Sequence, residues 1–342
     1  MNSKKVFLVP KDHVLEEVLK FGNELAQSSE DAKEFIFDFQ GKGLDTPFGM
    51  LYLGFAIRRF IENHPRAVCV PINYAERGYA AYMGYFQACG FEIGNMPGHT
   101  KGTDTYIPIT ILSVSELKAQ ARDEIREVGE VIEDRSRELA RILTQHPDGP
   151  LTDTLTYSLR EMIRNIVEHS QSESLAFCAQ FRAKVKQAEI AILDTGIGIR
   201  ESLSNNPYLK IANDHEALNL ALMAGISGKQ FKGIKRDPYN FWQNSGFGLF
   251  AVSRLCGHGG KFTICSGDTT LTLKPNEKVY HPASYQGTAL RIILSAKEIE
   301  NSKSLLPKIM KEGAQQAKEL ETANAEPSTA SKMLSTEFSK KK

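Results

Sequence analysis

At 342 residues the chain exceeds one ordinary hydrophobic core, so two domains are expected. Its 41% hydrophobic and 24% charged content is that of a globular protein, and no run approaches the roughly 18 apolar residues of a membrane span. Forty-two basic against 41 acidic side chains, net +1, exclude a global bias toward a polyanion and argue against nucleic acid as the main partner.

The first segment alternates strand and helix signals. Val6–Pro10 is β-rich, Val14–Gln27 has helical periodicity, and Glu34–Phe39 (EFIFDF) alternates with period two. Thr46-Pro47 reads as a cap followed by proline at the first helical position, with apolar residues running on to Ile61. Arg66–Ile72 is a strand, Arg77–Cys89 a helix stopped by Gly90, and Tyr106–Val114 a further strand. Residues 1–114 are therefore expected to form a small α/β domain. Residues 115–147 read as one charged connecting helix, a candidate for self-association, ended by the breaker His146-Pro147-Asp148-Gly149-Pro150. Residues 148–298 carry the chemistry-bearing motifs, and 299–342 read as an exposed helix passing into a disordered tail. The five cysteines form no CxxC pair, so buried free thiols and a reducing, cytoplasmic setting are expected. The opening MNSKKVFLVPKDH has too short an apolar run for a signal peptide.

Leu151–Ser170 is amphipathic: Leu159, Met162, Ile163, Ile166 and Val167 share one face, and Glu161, Asn165 and Glu168 gather on the other. An amide can coordinate hard Mg²⁺ without adding charge, and a carboxylate one turn earlier can activate water. The same pattern also describes a solvated polar face. Ala188–Ile199 (AEIAILDTGIGI) is a strand that delivers Asp194 and then the glycines Gly196 and Gly198. A carboxylate there can accept from an exocyclic amine, while glycines let backbone approach a planar ring; a plain β-turn fits too. The next fifty residues are polar and basic, including Lys229, Lys232, Lys235 and Arg236, and end in Ser245-Gly246-Phe247-Gly248 before an apolar helix. A glycine turn opening a helix presents amides to an anion, and the basic stretch reads either as a lid over phosphates or as a surface loop. Lys261–Cys265 and Leu290–Leu294 are strands, with Gly287-Thr288 at the start of the second.

Taken in order, Glu161-x-x-x-Asn165, Asp194-Thr-Gly196-Ile-Gly198, Gly246-Phe-Gly248-Leu and Gly287-Thr288 resemble the four motifs of the GHKL superfamily of gyrase, chaperone, histidine-kinase and mismatch-repair ATPase domains. The resemblance covers about 140 residues and implies an α/β sandwich of the Bergerat type, a mixed sheet with helices on one face and ATP held between them under a lid. It further implies Asn165 as the Mg²⁺ ligand, Asp194 on the adenine amine, and Gly196, Gly198 and Thr288 around the base. Lys229, Ser245, Gly246 and Gly248 would then hold phosphates and Glu161 would activate water. No GxxxxGK[ST] phosphate loop is present. Histidine kinases often carry lysine three residues after the motif asparagine, where Glu168 stands here, and no histidine lies in 115–145. Glu161-Met-Ile-Arg-Asn165-Ile-Val-Glu-His169 looks close to the anti-sigma serine kinases, and the N-terminal region weakly resembles the STAS-like domains that partner them. Three functions are therefore expected in competition: a Mg²⁺-dependent ATPase switch acting on the N-terminal domain or a protein partner, a serine/threonine protein kinase, and a non-catalytic nucleotide-sensing scaffold. Thr46 is the position nearest a STAS phosphoacceptor, although a helix cap is its plainer explanation.

Overall fold

The computed structural model describes residues 4–28, 32–234, 245–295, 305–320 and 333–335. Strands β1 (Lys4–Leu8), β2 (Glu34–Asp38) and β3 (Val68–Ile72) form a parallel sheet in the order β1-β2-β3. Two crossover helices, α1 (Leu15–Gln27) and α2 (Pro47–Asn63), connect its strands. The Thr46 hydroxyl accepts the Gly49 amide at 3.2 Å, and proline follows at N1, so α2 starts where the sequence sets it. The helix expected over 77–89 is broken in two, α3 (Gly78–Tyr82) and α4 (Tyr85–Cys89), because Gly84 between them takes φ +85°.

The second sheet has five strands in the order β4-β5-β6-β8-β7: β4 (Tyr106–Ser113), β5 (Ser174–Arg182), β6 (Gln187–Asp194), β7 (Gly260–Lys274) and β8 (Glu277–Ser295). All four pairings are antiparallel. Two boundaries drawn from sequence shift here. Strand β4, expected to close the N-terminal domain at 114, is instead the edge of this second sheet, pairing Ile111 with Ala176. The stretch 115–147 is two helices, α5 (Val114–Asp123) and α6 (Val128–Thr144), separated by a turn in which Ile125 takes φ +53°. Neither is a free connector: Leu117, Ala121, Val131, Ile132, Ala140 and Leu143 are buried in the main core.

Helix α7 (Pro150–His169) packs antiparallel to α6 over one face of the five-stranded sheet, joined there by α10 (Gly248–Gly257) and α11 (Leu305–Glu319). Leu175, Phe177, Ile190, Ile192, Leu290 and Ile292 point toward these helices. The alternate positions, Ala176, Cys178, Ala191, Leu193 and Ala289, point the other way and share a core with α1 and α2. Small side chains on that second face let α2 sit close. The sheet is thus covered on both faces, not on one, because the N-terminal unit supplies the second layer. Tyr52 of α2 stacks on Tyr285 with centroids 5.1 Å apart. At the start of α2 the Phe48 amide donates to buried Glu189, which also receives both guanidinium arms of Arg291 at 3.0 and 2.9 Å. A carboxylate at a helix N-terminus is favoured by the helix dipole.

Helix α11 occupies part of the expected tail, and it is docked: Ile309, Met310 and Ala317 are buried, and Gly313 lies so close to Phe250 of α10 that a Cβ there would stand 2.5 Å from the ring. All five cysteines are free, four of them buried. No helix among the described residues is long and apolar enough to cross a membrane.

Candidate functional site

The two-residue period of β6 carries the first step. Ile190 and Ile192 face α7, so Asp194, two residues further, emerges at the strand end on that same side. Its register partner on β8 is Thr288, so the two motif residues lie side by side although 94 positions separate them in the chain. Asp194 is 1% exposed, and its Oδ1 accepts the Gly196 amide at 2.8 Å. Burial pushes its carboxyl up to about 6, against the opposing pull of hydrogen bonds from Gly196 and Thr288.

Each motif glycine stands where a side chain would strike its surroundings. A Cβ on Gly196 would lie 1.9 Å from the Ser170 carbonyl oxygen, and one on Gly287 would lie 2.2 Å from that of Asp194. Gly198 and Gly246 take φ +77° and +73°, with Ser266 Oγ 2.8 Å and the Ile226 carbonyl oxygen 2.5 Å from where their Cβ atoms would be. These contacts pin the strand end, the glycine turns and the C-terminus of α7 together. The Ser266 hydroxyl completes the arrangement, donating to the Gly287 carbonyl at 2.7 Å and accepting the Ile199 amide at 3.0 Å.

Between α7, the sheet end and the turn that opens α10 lies a cleft of about 800 Å³, its open mouth included. Glu161, Asn165, Asp194, Gly198, Ser245, Gly246, Gly248 and Thr288 all line it. Gly196 and Lys229 do not. Gly196 sits behind Asp194, and the exposed Lys229 donates its ammonium to the Glu168 carbonyl near the end of α7. Residues 235–244, which include Lys235 and Arg236, lie outside the described residues. The region ahead of them, expected to be a lid loop, holds two helices, α8 (Gly198–Ser204) and α9 (Asp214–Ala221).

Much of the charge on the polar side of α7 is buried. Arg160, Glu161 and Arg164 are 0%, 4% and 3% exposed. Glu161 Oε1 accepts from Arg160 Nη2 at 3.1 Å and from Arg164 Nη1 at 3.4 Å. Its Oε2 faces the opening of α10, 2.6 Å from where a Cβ on Gly248 would be. Periodicity alone could not show this, because α6 and the C-terminal segment cover a helix face that reads as polar. Arg164 also reaches Glu168 at 3.0 Å. Asn165 is half-buried in the cleft wall.

His169, Ser170, Ser202 and Ser227 also line the cleft and were not singled out as site residues from sequence. His169 Nε2 stands 3.9 Å from Glu168 Oε2, and burial, with Lys229 and Arg164 nearby, holds its imidazole down at about 3, so the ring is neutral at pH 7. Ser227 is signalled by nothing local; a buried Asn206 donating to its carbonyl at 3.0 Å sets its place.

The chemistry of these groups can be tested against the expected ligands. A buried acceptor at a strand end, with glycine backbone beside it, fits an amine-bearing planar base. The neutral amide of Asn165 fits Mg²⁺, which keeps water and phosphate oxygens as most of its ligands and needs few protein donors. No family model matches this chain, and no curated protein matches it either.

Proposed function

We propose that this chain is a Mg²⁺-dependent ATP-binding protein of the GHKL type, acting as an ATPase conformational switch. The observation that carries the reading is convergence: four motifs spread over about 130 residues contribute Asn165, Asp194, Gly198, Gly246, Gly248 and Thr288 to a single cleft. On this reading Asp194 accepts the adenine amine, and the turn at Gly246–Gly248 and the start of α10 receive phosphates. Mg²⁺, held by Asn165 and phosphate oxygens, would neutralise charge on the reacting phosphoryl group. Glu161 Oε2 takes the proton of the attacking water while Arg160 and Arg164 hold Oε1. Calorimetry with Mg·ATP and assay of ADP release test the proposal. Glu161→Ala should cut turnover by about a hundredfold or more while ATP binding persists; equal turnover in the variant would remove Glu161 from the reaction.

Nucleotide sensing without turnover is a second reading, favoured by the two guanidinium contacts on Glu161. Protein-kinase activity toward Thr46 in cis finds no support, since that hydroxyl is 4% exposed and engaged as the α2 cap. Signalling to the N-terminal unit has a physical route. The Tyr285 hydroxyl donates to the Asp194 carbonyl at 3.2 Å while its ring stacks on Tyr52 of α2.

A further inference from the structure

Helix α7 buries Arg160, Glu161 and Arg164, and the partners of that charge include a distant piece of chain. Arg160 sends one arm to Glu161 in the cleft wall and the other to Glu133 of α6, Nη1 to Oε2 at 2.5 Å. The same Nη1 donates to the Met333 carbonyl at 3.1 Å. Glu133, 1% exposed, accepts the Ser335 amide at 2.8 and 3.0 Å on its two oxygens and the Ser335 hydroxyl at 2.7 Å. Arg137 flanks it at 3.8 Å. Between these two polar anchors Leu334 is buried in the main core. A segment some 170 positions downstream thus closes a chain of charge-assisted hydrogen bonds that ends on the carboxylate of Glu161.

We propose that Met333–Ser335 is a latch that positions Glu161. Ser335 and Met333 fix Glu133 and Arg160; Arg160 and Arg164 then fix Glu161 Oε1, which aims Oε2 at the turn opening α10. Helix α11 packs through Gly313 on Phe250 of α10, the helix that this turn opens. Release of the latch would take the Met333 carbonyl from Arg160 and the Ser335 amide and hydroxyl from Glu133, freeing the Glu133–Arg160 pair to shift and Glu161 to swing with it. The segment is therefore a control point for turnover that touches neither base nor phosphate. Glu133, Arg160 and Ser335 are positioning residues here, and the inference rests on the ATPase reading above.

The test uses the full chain. Binding of a non-hydrolysable Mg·ATP analogue is measured first by calorimetry, then ADP release is followed in wild type, Ser335→Asp, Ser335→Thr and Glu133→Gln. Ser335→Asp sets a second carboxylate against Glu133 at a half-buried surface position, where folding should survive. Its kcat should fall about tenfold with KM and analogue affinity within about twofold of wild type, and Glu133→Gln should behave alike. Ser335→Thr, which keeps the hydroxyl, should restore turnover. Amide exchange at Ser335 should be slow in wild type and Ser335→Thr and at least about tenfold faster in Ser335→Asp. Wild-type kcat in Ser335→Asp, with its Ser335 amide exposed, would overturn the latch while leaving the ATPase reading intact. A fall in kcat matched by an equal fall in analogue affinity would also overturn it, as general loosening. Absence of analogue binding or of ADP release in wild type would instead overturn the ATPase reading, and the latch with it.

Discussion

Replacing Asp194 by asparagine should stabilise the ligand-free protein and weaken its hold on nucleotide. The carboxyl is 1% exposed, and burial, opposed by hydrogen bonds from Gly196 and Thr288, lifts it from 3.8 to about 6. A folded-state value above the unfolded one means that the folded protein keeps this proton to higher pH. Its stabilising share is complete below about pH 3.8 and is lost as pH rises through about 6. At roughly 1.4 kcal/mol per pH unit, that gap costs the fold about 3 kcal/mol at pH 8. Asparagine carries no charge and can keep the Gly196 bond through its oxygen, but it turns an NH₂ toward the Thr288 donor, a loss of about 1 kcal/mol. The variant should therefore be more stable by about 1–2 kcal/mol at pH 8, and the advantage should shrink by about 2 kcal/mol on going to pH 4.5. Urea titrations of both proteins at the two pH values measure this directly, and every other titrating group cancels in the comparison. A difference flat with pH to within about 0.5 kcal/mol would refute the buried-charge reasoning. Nucleotide affinity should drop about 10- to 100-fold in the same variant, the value of a hydrogen bond to an ionised acceptor; an unchanged affinity would take adenine away from Asp194.

Gly287→Ala should destabilise by about 3 kcal/mol or more, since φ is +99° and the new Cβ would lie 2.2 Å from the Asp194 carbonyl oxygen; thermal melting that stays within about 2 °C of wild type would contradict that packing. Tyr285→Phe removes the hydroxyl on the Asp194 carbonyl, costs about 1 kcal/mol, and should reduce whatever change in proteolysis of α2 nucleotide induces. An unaltered nucleotide effect on α2 would exclude that tyrosine as the route. Acid should weaken the fold from about pH 6.5 downward: His169 and His13 are both held at about 3, so their share is present above the unfolded value of 6.5 and lost as pH falls. His169→Gln should lessen the loss between pH 7 and pH 5 by about 2 kcal/mol, as read by denaturant titration; identical slopes would reject a neutral, buried imidazole.

The residues that periodicity reads well are those whose neighbours lie on the same element. The start of α2 at Thr46-Pro47, the span of α7 and the strand that delivers Asp194 are local signals, and they hold within a residue or two. The pairing of Asp194 with Thr288 was implied only by the order of motifs, because no local pattern says which strands become neighbours. Strand β8 is much longer than Leu290–Leu294, since Gly287 and the polar residues before it look like a turn yet continue the ladder with β7. The burial of Glu161 was illegible for a further reason. The helix face beside it is covered by the charged α6 and by Met333–Ser335, which lie in a stretch that reads as an exposed tail until their partners Arg160 and Glu133 are in view.

Two buried arginines separate a structural cation from a positioning one. Arg77, 2% exposed, spends its bonds on the Phe39, Gly41 and Lys11 carbonyls and on Asp45 at 2.6 Å, all in loops that follow β1 and β2. Those partners are mostly backbone of one compact unit, so removing the guanidinium would loosen those two loops, with Asp45 the carboxylate left to respond. Arg160 instead divides its bonds between side chains on two helices and the carbonyl of a remote segment. Burying such a pair gains little stability over apolar packing of equal volume, since desolvation offsets most of the Coulombic attraction. What the arrangement does supply is a fixed geometry at Glu161 that depends on whether residues 333–335 are seated. A cation kept for stability alone would have no need of partners that far apart in the chain.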